Sequence, residues 1–94
     1  MKVTVADAVR IGRLLGVNFS IYSPERYRAA IQKELNSGRR YGAIANVTND
    51  HLILAGMIVV AHLLEVPDWY ERFSEFEKSA HQYWKNRQKP SILM

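Results

Sequence analysis

The stretch Asn46–Tyr70, NVTNDHLILAGMIVVAHLLEVPDWY, decides the fold. It opens on polar residues suited to a helix start and runs from Leu52 to Ala61 without a polar side chain. His62 and Glu65 follow one turn apart, and then a proline begins an aromatic segment. The run is too short for the roughly 20 apolar residues that span a bilayer. In a chain of 94 residues it therefore reads as a central helix, starting at Thr48 or Asn49, ending at Leu64 or Glu65, and covered on most sides. Gly56 in its middle costs about 1 kcal/mol of helix propensity relative to alanine, so a neighbouring helix is expected to approach closely there.

Outward from this stretch, three more helices fit. The first begins at Thr4, with Asp7 three residues on as a capping-box partner, and stops at Gly16. Val5, Ala8, Val9, Ile11, Leu14 and Leu15 form its apolar stripe. Residues 17–22, VNFSIY, read as an extended connector. The second helix opens with Ser23-Pro24-Glu25, an N-cap, a first-position proline and an acid at the positive end of the dipole. It points Tyr27, Ala30, Ile31 and Leu35 inward and ends at Gly38. The segment from Arg39 to Thr48 reads as a long loop tacked down by Tyr41, Ile44 and Val47. The fourth helix starts at Pro67-Asp68, and Trp69, Phe73, Phe76, Ala80, Tyr83 and Trp84 recur along it at core spacing. The expected architecture is all-α: a compact bundle of about four helices, one domain over residues 1–90, with a tail at 91–94 that frays or contacts a partner.

Composition narrows the functional classes. The chain has no cysteine, which excludes disulfides and thiolate metal sites and is compatible with a cytoplasmic setting. Neither a secretory leader nor a membrane span is expected. The net charge of +4 and an isoelectric point near 9.6 permit an anionic partner without requiring one. No nucleophile–base signature, phosphate-binding loop or HExxH is present, so enzymatic activity is not expected.

Two clusters carry whatever chemistry the sequence suggests. His62 and Glu65 share a helix face, and Glu34 meets them if the second and third helices pack antiparallel. Imidazole and carboxylate suit a transition metal, giving Glu34, His62 and Glu65 as a candidate ligand set. Carboxylate-bridged di-iron bundles need two Glu-x-x-His pairs, and this chain has none, so a monomer lacks their donors. The plainer expectation needs no cofactor: a histidine hydrogen-bonded to Glu65, to a backbone carbonyl or to Glu34. Arg39 and Arg40 form a second candidate site, for an anion. An apolar third helix cannot read DNA bases, so nucleic acid is not expected as a partner beyond weak binding through these arginines and the basic end of the fourth helix. Tyr83 and Trp84, adjacent aromatics that cannot share one core face, make Trp84 a candidate contact for a protein partner or a homodimer seam. The leading expectation is a self-associating interaction module.

The run E-L-x-x-G from Glu34 to Gly38, then NVTND, then A-H-L-x-E-x-P-D-W-Y from Ala61 to Tyr70 resembles a family of small, helical, uncharacterised bacterial and phage-borne proteins. The resemblance extends from the IG-x-LG-V of Ile11–Val17 to Tyr83-Trp84. Glu34, Asn46, Asp50, His62, Glu65 and Asp68 match its pattern. Ser37 stands where relatives tend to carry histidine, and Met57 where they tend to carry lysine. The resemblance implies a helical fold and a polar cluster, and brings no assigned activity.

Overall fold

The computed structural model describes residues 1–88. It contains four α-helices: α1 (Val5–Leu15), α2 (Pro24–Arg40), α3 (Leu52–Glu65) and α4 (Trp69–Trp84), with one 3-10 turn over Ala43–Ala45. No strand occurs among the described residues. The all-α bundle of four helices is as expected. The expected tail at 91–94 and the domain end at Pro90 lie outside the described residues.

Local chemistry sets the helix ends. The Thr4 hydroxyl accepts from the Asp7 amide and the Asp7 carboxylate accepts from the Thr4 amide, each at 3.0 Å, which closes the capping box. Gly16 ends α1 in the left-handed conformation, at φ 82°. The Ser23 hydroxyl caps α2 by accepting from the Arg26 amide at 3.2 Å.

Several boundaries and faces differ from the sequence reading. The 17–22 connector is a turn, because the Asn18 side chain captures the Ser20 amide at 2.9 Å and the Asn18 carbonyl accepts from Ile21 and Tyr22. Gly38 does not end α2, which continues to Arg40; Gly38 is buried, and the space beside it is filled by the next loop. Tyr41, Ile44 and Val47 do not tack that loop down, since all three are exposed. Finally, α3 starts only at Leu52, because Asn49 and Asp50 adopt positive φ (48° and 60°) and so cannot belong to a right-handed helix.

The core lies where α1, α2 and α3 meet. Tyr27, Ile31, Leu35 and Ala30 from α2 pack with Ile11 and Ala8 from α1, Val3 ahead of it, and Ala55 and Val59 from α3. The α3 helix touches all three other helices but buries only Ala55, Gly56 and Val59, so its expected cover on most sides is absent. The physical reason is supply: α1 and α2 clothe one side of α3, and among the described residues no further element clothes the other. At Gly56 the close approach is real. A Cβ there would sit 2.6 Å from Ile11 Cγ2 and 2.8 Å from the Tyr27 hydroxyl, which donates to the Gly56 carbonyl at 3.1 Å.

The bend from α3 into α4 is 95°. No single described helix is long and apolar enough to cross a membrane. The aromatic stripe of α4, read as core from its spacing, is not core: no residue of α4 is buried.

Candidate functional site

The junction of α2, α3 and the start of α4 carries a polar network. Pro67 and Asp68 turn the chain so that Tyr70 faces back over α2. Its hydroxyl donates to Glu34 Oε2 at 2.7 Å. His62 Nδ1 lies 3.0 Å from the same hydroxyl and 3.3 Å from Glu34 Oε2. A phenol has one proton, and here it is committed to the carboxylate. Nδ1 therefore faces two acceptors and must carry a hydrogen, which leaves Nε2 as the bare nitrogen of the neutral ring. Trp69 stacks on the imidazole with centroids 4.1 Å apart and rings 7° from parallel. Burial, and then the bond to Glu34, push the Tyr70 phenol well above its ordinary range.

Glu34 and His62 thus meet, but not through a simple antiparallel pairing: Tyr27 reaches Gly56 and Glu34 reaches His62, so the contacts advance in the same direction along α2 and α3. Glu65 does not join them: it is exposed and makes no hydrogen bond or ion pair among the described residues. Nor does any group of three or more histidine, aspartate or glutamate side chains among those residues have the arrangement that holds a metal ion. Sequence reasoning missed Tyr70 and Trp69. The signal was present, because both sit one to two turns past His62 across a proline. It was masked because Trp69 was assigned with the aromatic stripe to a hydrophobic core and Tyr70 was given no role.

Arg39 and Arg40 diverge. Arg39 Nε donates to Asp50 Oδ1 at 2.9 Å, and Asn46 Nδ2 donates to the same oxygen at 3.1 Å. Both bonds hold the Asp50 carboxyl below its ordinary range. The Thr48 hydroxyl, buried beside Gly38, donates to Asn46 Oδ1 at 3.0 Å. The NVTND run is therefore a lock that seats the loop on the end of α2, and Arg39 is part of the lock. Arg40 points elsewhere, and its guanidinium has no carboxylate partner among the described residues.

Arg40 and Trp84 share a groove between the end of α2 and the outer half of α4. Its volume is about 820 Å³, and Tyr41, Phe73, Phe76 and Ala80 complete its apolar lining. A smaller polar hollow of about 320 Å³ adjoins it along Ser37, Arg40 and Glu77 and reaches Arg28. The groove stays open because α4 is held to α2 by polar contacts in place of apolar burial. Arg26 pairs with Glu71, Lys33 pairs with Glu77, and Tyr70 bonds to Glu34. The Lys33 ammonium also lies 5.3 Å from the centre of the Phe73 ring. Tyr83, the other half of the aromatic pair, is exposed beneath the Arg87 guanidinium.

A second uncovered surface is the outer side of α3. Leu54, Met57, Ala61 and Leu64 follow one another at steps of three, four and three, and all are exposed, Met57 at 51% and Leu64 at 82%. Ala55, Gly56 and Val59 occupy the opposite, buried side.

No curated protein and no solved structure matches this chain. One family model does, over residues 8–79, a span that takes in most of α1, the polar network, the loop lock and most of α4. The chain belongs to that family, described as a protein of unknown function (DUF5661).

Proposed function

We propose that this protein is a small non-catalytic interaction module that pairs with a second copy of itself through the outer side of α3. The observation that carries the reading is the seam Leu54, Met57, Ala61 and Leu64. Its spacing is that of the a and d positions of a helix-pairing heptad, on a helix whose other side is already packed. The seam is also self-complementary. In an antiparallel pair with a twofold axis at the level of Val59, Leu54 faces Leu64 of the second copy, and Met57 faces Ala61, a large side chain against a small one. Such a twofold contact uses the same patch on both chains. Because α3 is already folded on its body, pairing does not bear the ordering cost that makes short isolated helices marginal.

The aromatic pattern of the fourth helix first suggested that helix as the seam. The faces left open by the fold favour α3, since α4 has a basic groove beside it and α3 has no charge from Leu52 to Ala61. A domain of this size buries a smaller share of its surface than a larger one does, which adds reason to pair. The working compartment is taken as the cytoplasm, with which a cysteine-free chain is compatible, and the source as the bacterial or phage one of the proteins that the sequence resembles.

Sedimentation velocity over a concentration series tests the reading. Wild type is expected to shift from one copy to two, while Met57→Glu stays single with unchanged helicity, because it sets two carboxylates close to the twofold axis. A wild type that stays single at high concentration, or a Met57→Glu variant that pairs equally well, overturns it.

A further inference from the structure

We propose that the groove between α2 and α4 binds an acidic amphipathic helical segment of a partner protein. The inference is independent of self-association, since it rests on different residues. Three observations converge on this occupant.

The first is shape. Phe73, Phe76, Ala80 and Trp84 succeed one another at steps of three and four along α4, an apolar strip about 16 Å long at 1.5 Å per residue. That length and spacing match the i, i+3, i+7 anchors of a helix of about three turns laid in a groove. Ala80, small between larger neighbours, leaves a hollow suited to one inserted side chain.

The second is charge. Arg28, Arg40 and Lys85 border the two adjoining hollows and have no carboxylate partner among the described residues. Arg28 donates only to the Val3 carbonyl, at 3.5 Å. The one acid on the walls, Glu77, is already paired with Lys33. A guanidinium is the side chain best fitted to grip a carboxylate through paired N–H donors. Arg28 and Arg40 lie about 18 Å apart along α2, so carboxylates at both ends of a short helix meet a cation each.

The third is exposed apolar area where the fold has no use for it. Phe76 is 63% exposed although it sits at a core-like position of its helix. Among the described residues, nothing covers this side of the ring.

A single-stranded nucleic acid fits less well. The rings that line the groove, Phe73 and Phe76, are tilted by 39° to each other instead of presenting the stacked faces that successive bases would use.

The test is a display selection of random helical peptides of about 18 residues, five turns, against the wild-type protein with counter-selection on Phe76→Asp. Circular dichroism checks that the variant folds, which the exposure of Phe76 leads us to expect. Enriched peptides are expected to carry Asp or Glu flanking apolar residues at three- and four-residue steps. By fluorescence anisotropy, the best of them should lose about tenfold or more in affinity to Phe76→Asp and to Arg40→Glu. It should also weaken as salt rises from about 50 to 300 mM, and bind Met57→Glu as it binds wild type. The proposal fails if no peptide distinguishes wild type from Phe76→Asp, or if the enriched sequences lack acids. It also fails if a fluorescein-labelled oligothymidine binds in a Phe76-dependent way and displaces the peptide, or if Phe76→Asp abolishes self-association in place of peptide binding.

Discussion

A single proton organises the polar junction. The Tyr70 hydroxyl gives it to Glu34, and this decides the state of His62: the ring must present Nδ1–H to the two oxygens around it. In long-range nitrogen–proton NMR spectra of the neutral ring, His62 is therefore expected as the Nδ1–H tautomer, the minority form for histidine in water. A Nε2–H tautomer would mean that Tyr70 gives its proton to the imidazole and that the network runs the other way. Gly56 shows the same dependence on one atom. Alanine there gains about 1 kcal/mol of helix propensity. Its methyl meets Ile11 Cγ2 at 2.6 Å and the Tyr27 hydroxyl at 2.8 Å, and overpacking of this kind costs about 1–3 kcal/mol. Gly56→Ala should come out destabilised in urea, by up to about 2 kcal/mol, and a gain in stability would show that α1 and α2 can give way at no cost.

Among the elements, the loop lock shows where sequence reading succeeds and where it stops. The NVTND run is visibly a helix-start pattern, and a helix does follow. What single-residue propensities do not carry is that Asn46, Thr48 and Asp50 bond to one another and to Arg39, delaying the helix to Leu52. The caps at Thr4 and Ser23 and the stop at Gly16 were legible because each is settled within four residues of chain. The inner face of α2 was legible because helical period alone defines it. The failures at Gly38, at Tyr41, Ile44 and Val47, and along α4 share one cause: apolar side chains and glycines were assigned to local roles or to a core when the deciding fact was which neighbour lies opposite. Whether Glu34 and His62 meet depended on how α2 and α3 pack, which the sequence left open, and Tyr70 and Trp69 needed the turn at Pro67 in three dimensions. If the lock is as built, Asn46→Ala releases the Thr48 hydroxyl and one of the two bonds to Asp50. Hydrogen exchange should then quicken over residues 41–51 before it quickens anywhere in α2, and global stability should fall by about 1–2 kcal/mol. Uniform quickening across all helices would show instead that the loop opens only with the whole fold.

For the molecule as a whole, tyrosine binds the three core helices and α4 together, and this gives the fold an alkaline limit. Burial pushes the Tyr27 phenol from 10.0 up to about 12, and its hydroxyl joins α2 to the Gly56 carbonyl of α3. Burial also raises Tyr22, and burial with the Glu34 bond raises Tyr70. Each of these groups holds its proton more tightly folded than unfolded. Their contribution to stability is therefore complete below the unfolded value of about 10 and declines as pH rises towards the folded values, because in that window the unfolded chain binds fewer protons. Urea midpoints should be level with respect to these groups from about pH 7 to 9 and fall steeply above about pH 10, with tyrosinate absorbance and loss of helicity rising together. Tyr27→Phe separates this effect from the titration of surface lysines. It is expected to lower stability at pH 7, by about 1 kcal/mol for the lost bond to Gly56, and to flatten the fall above pH 10. If the variant falls as steeply as wild type, the alkaline limit belongs to Tyr22, to Tyr70 or to the ion pairs that hold α4, and Tyr27 has no part in setting it.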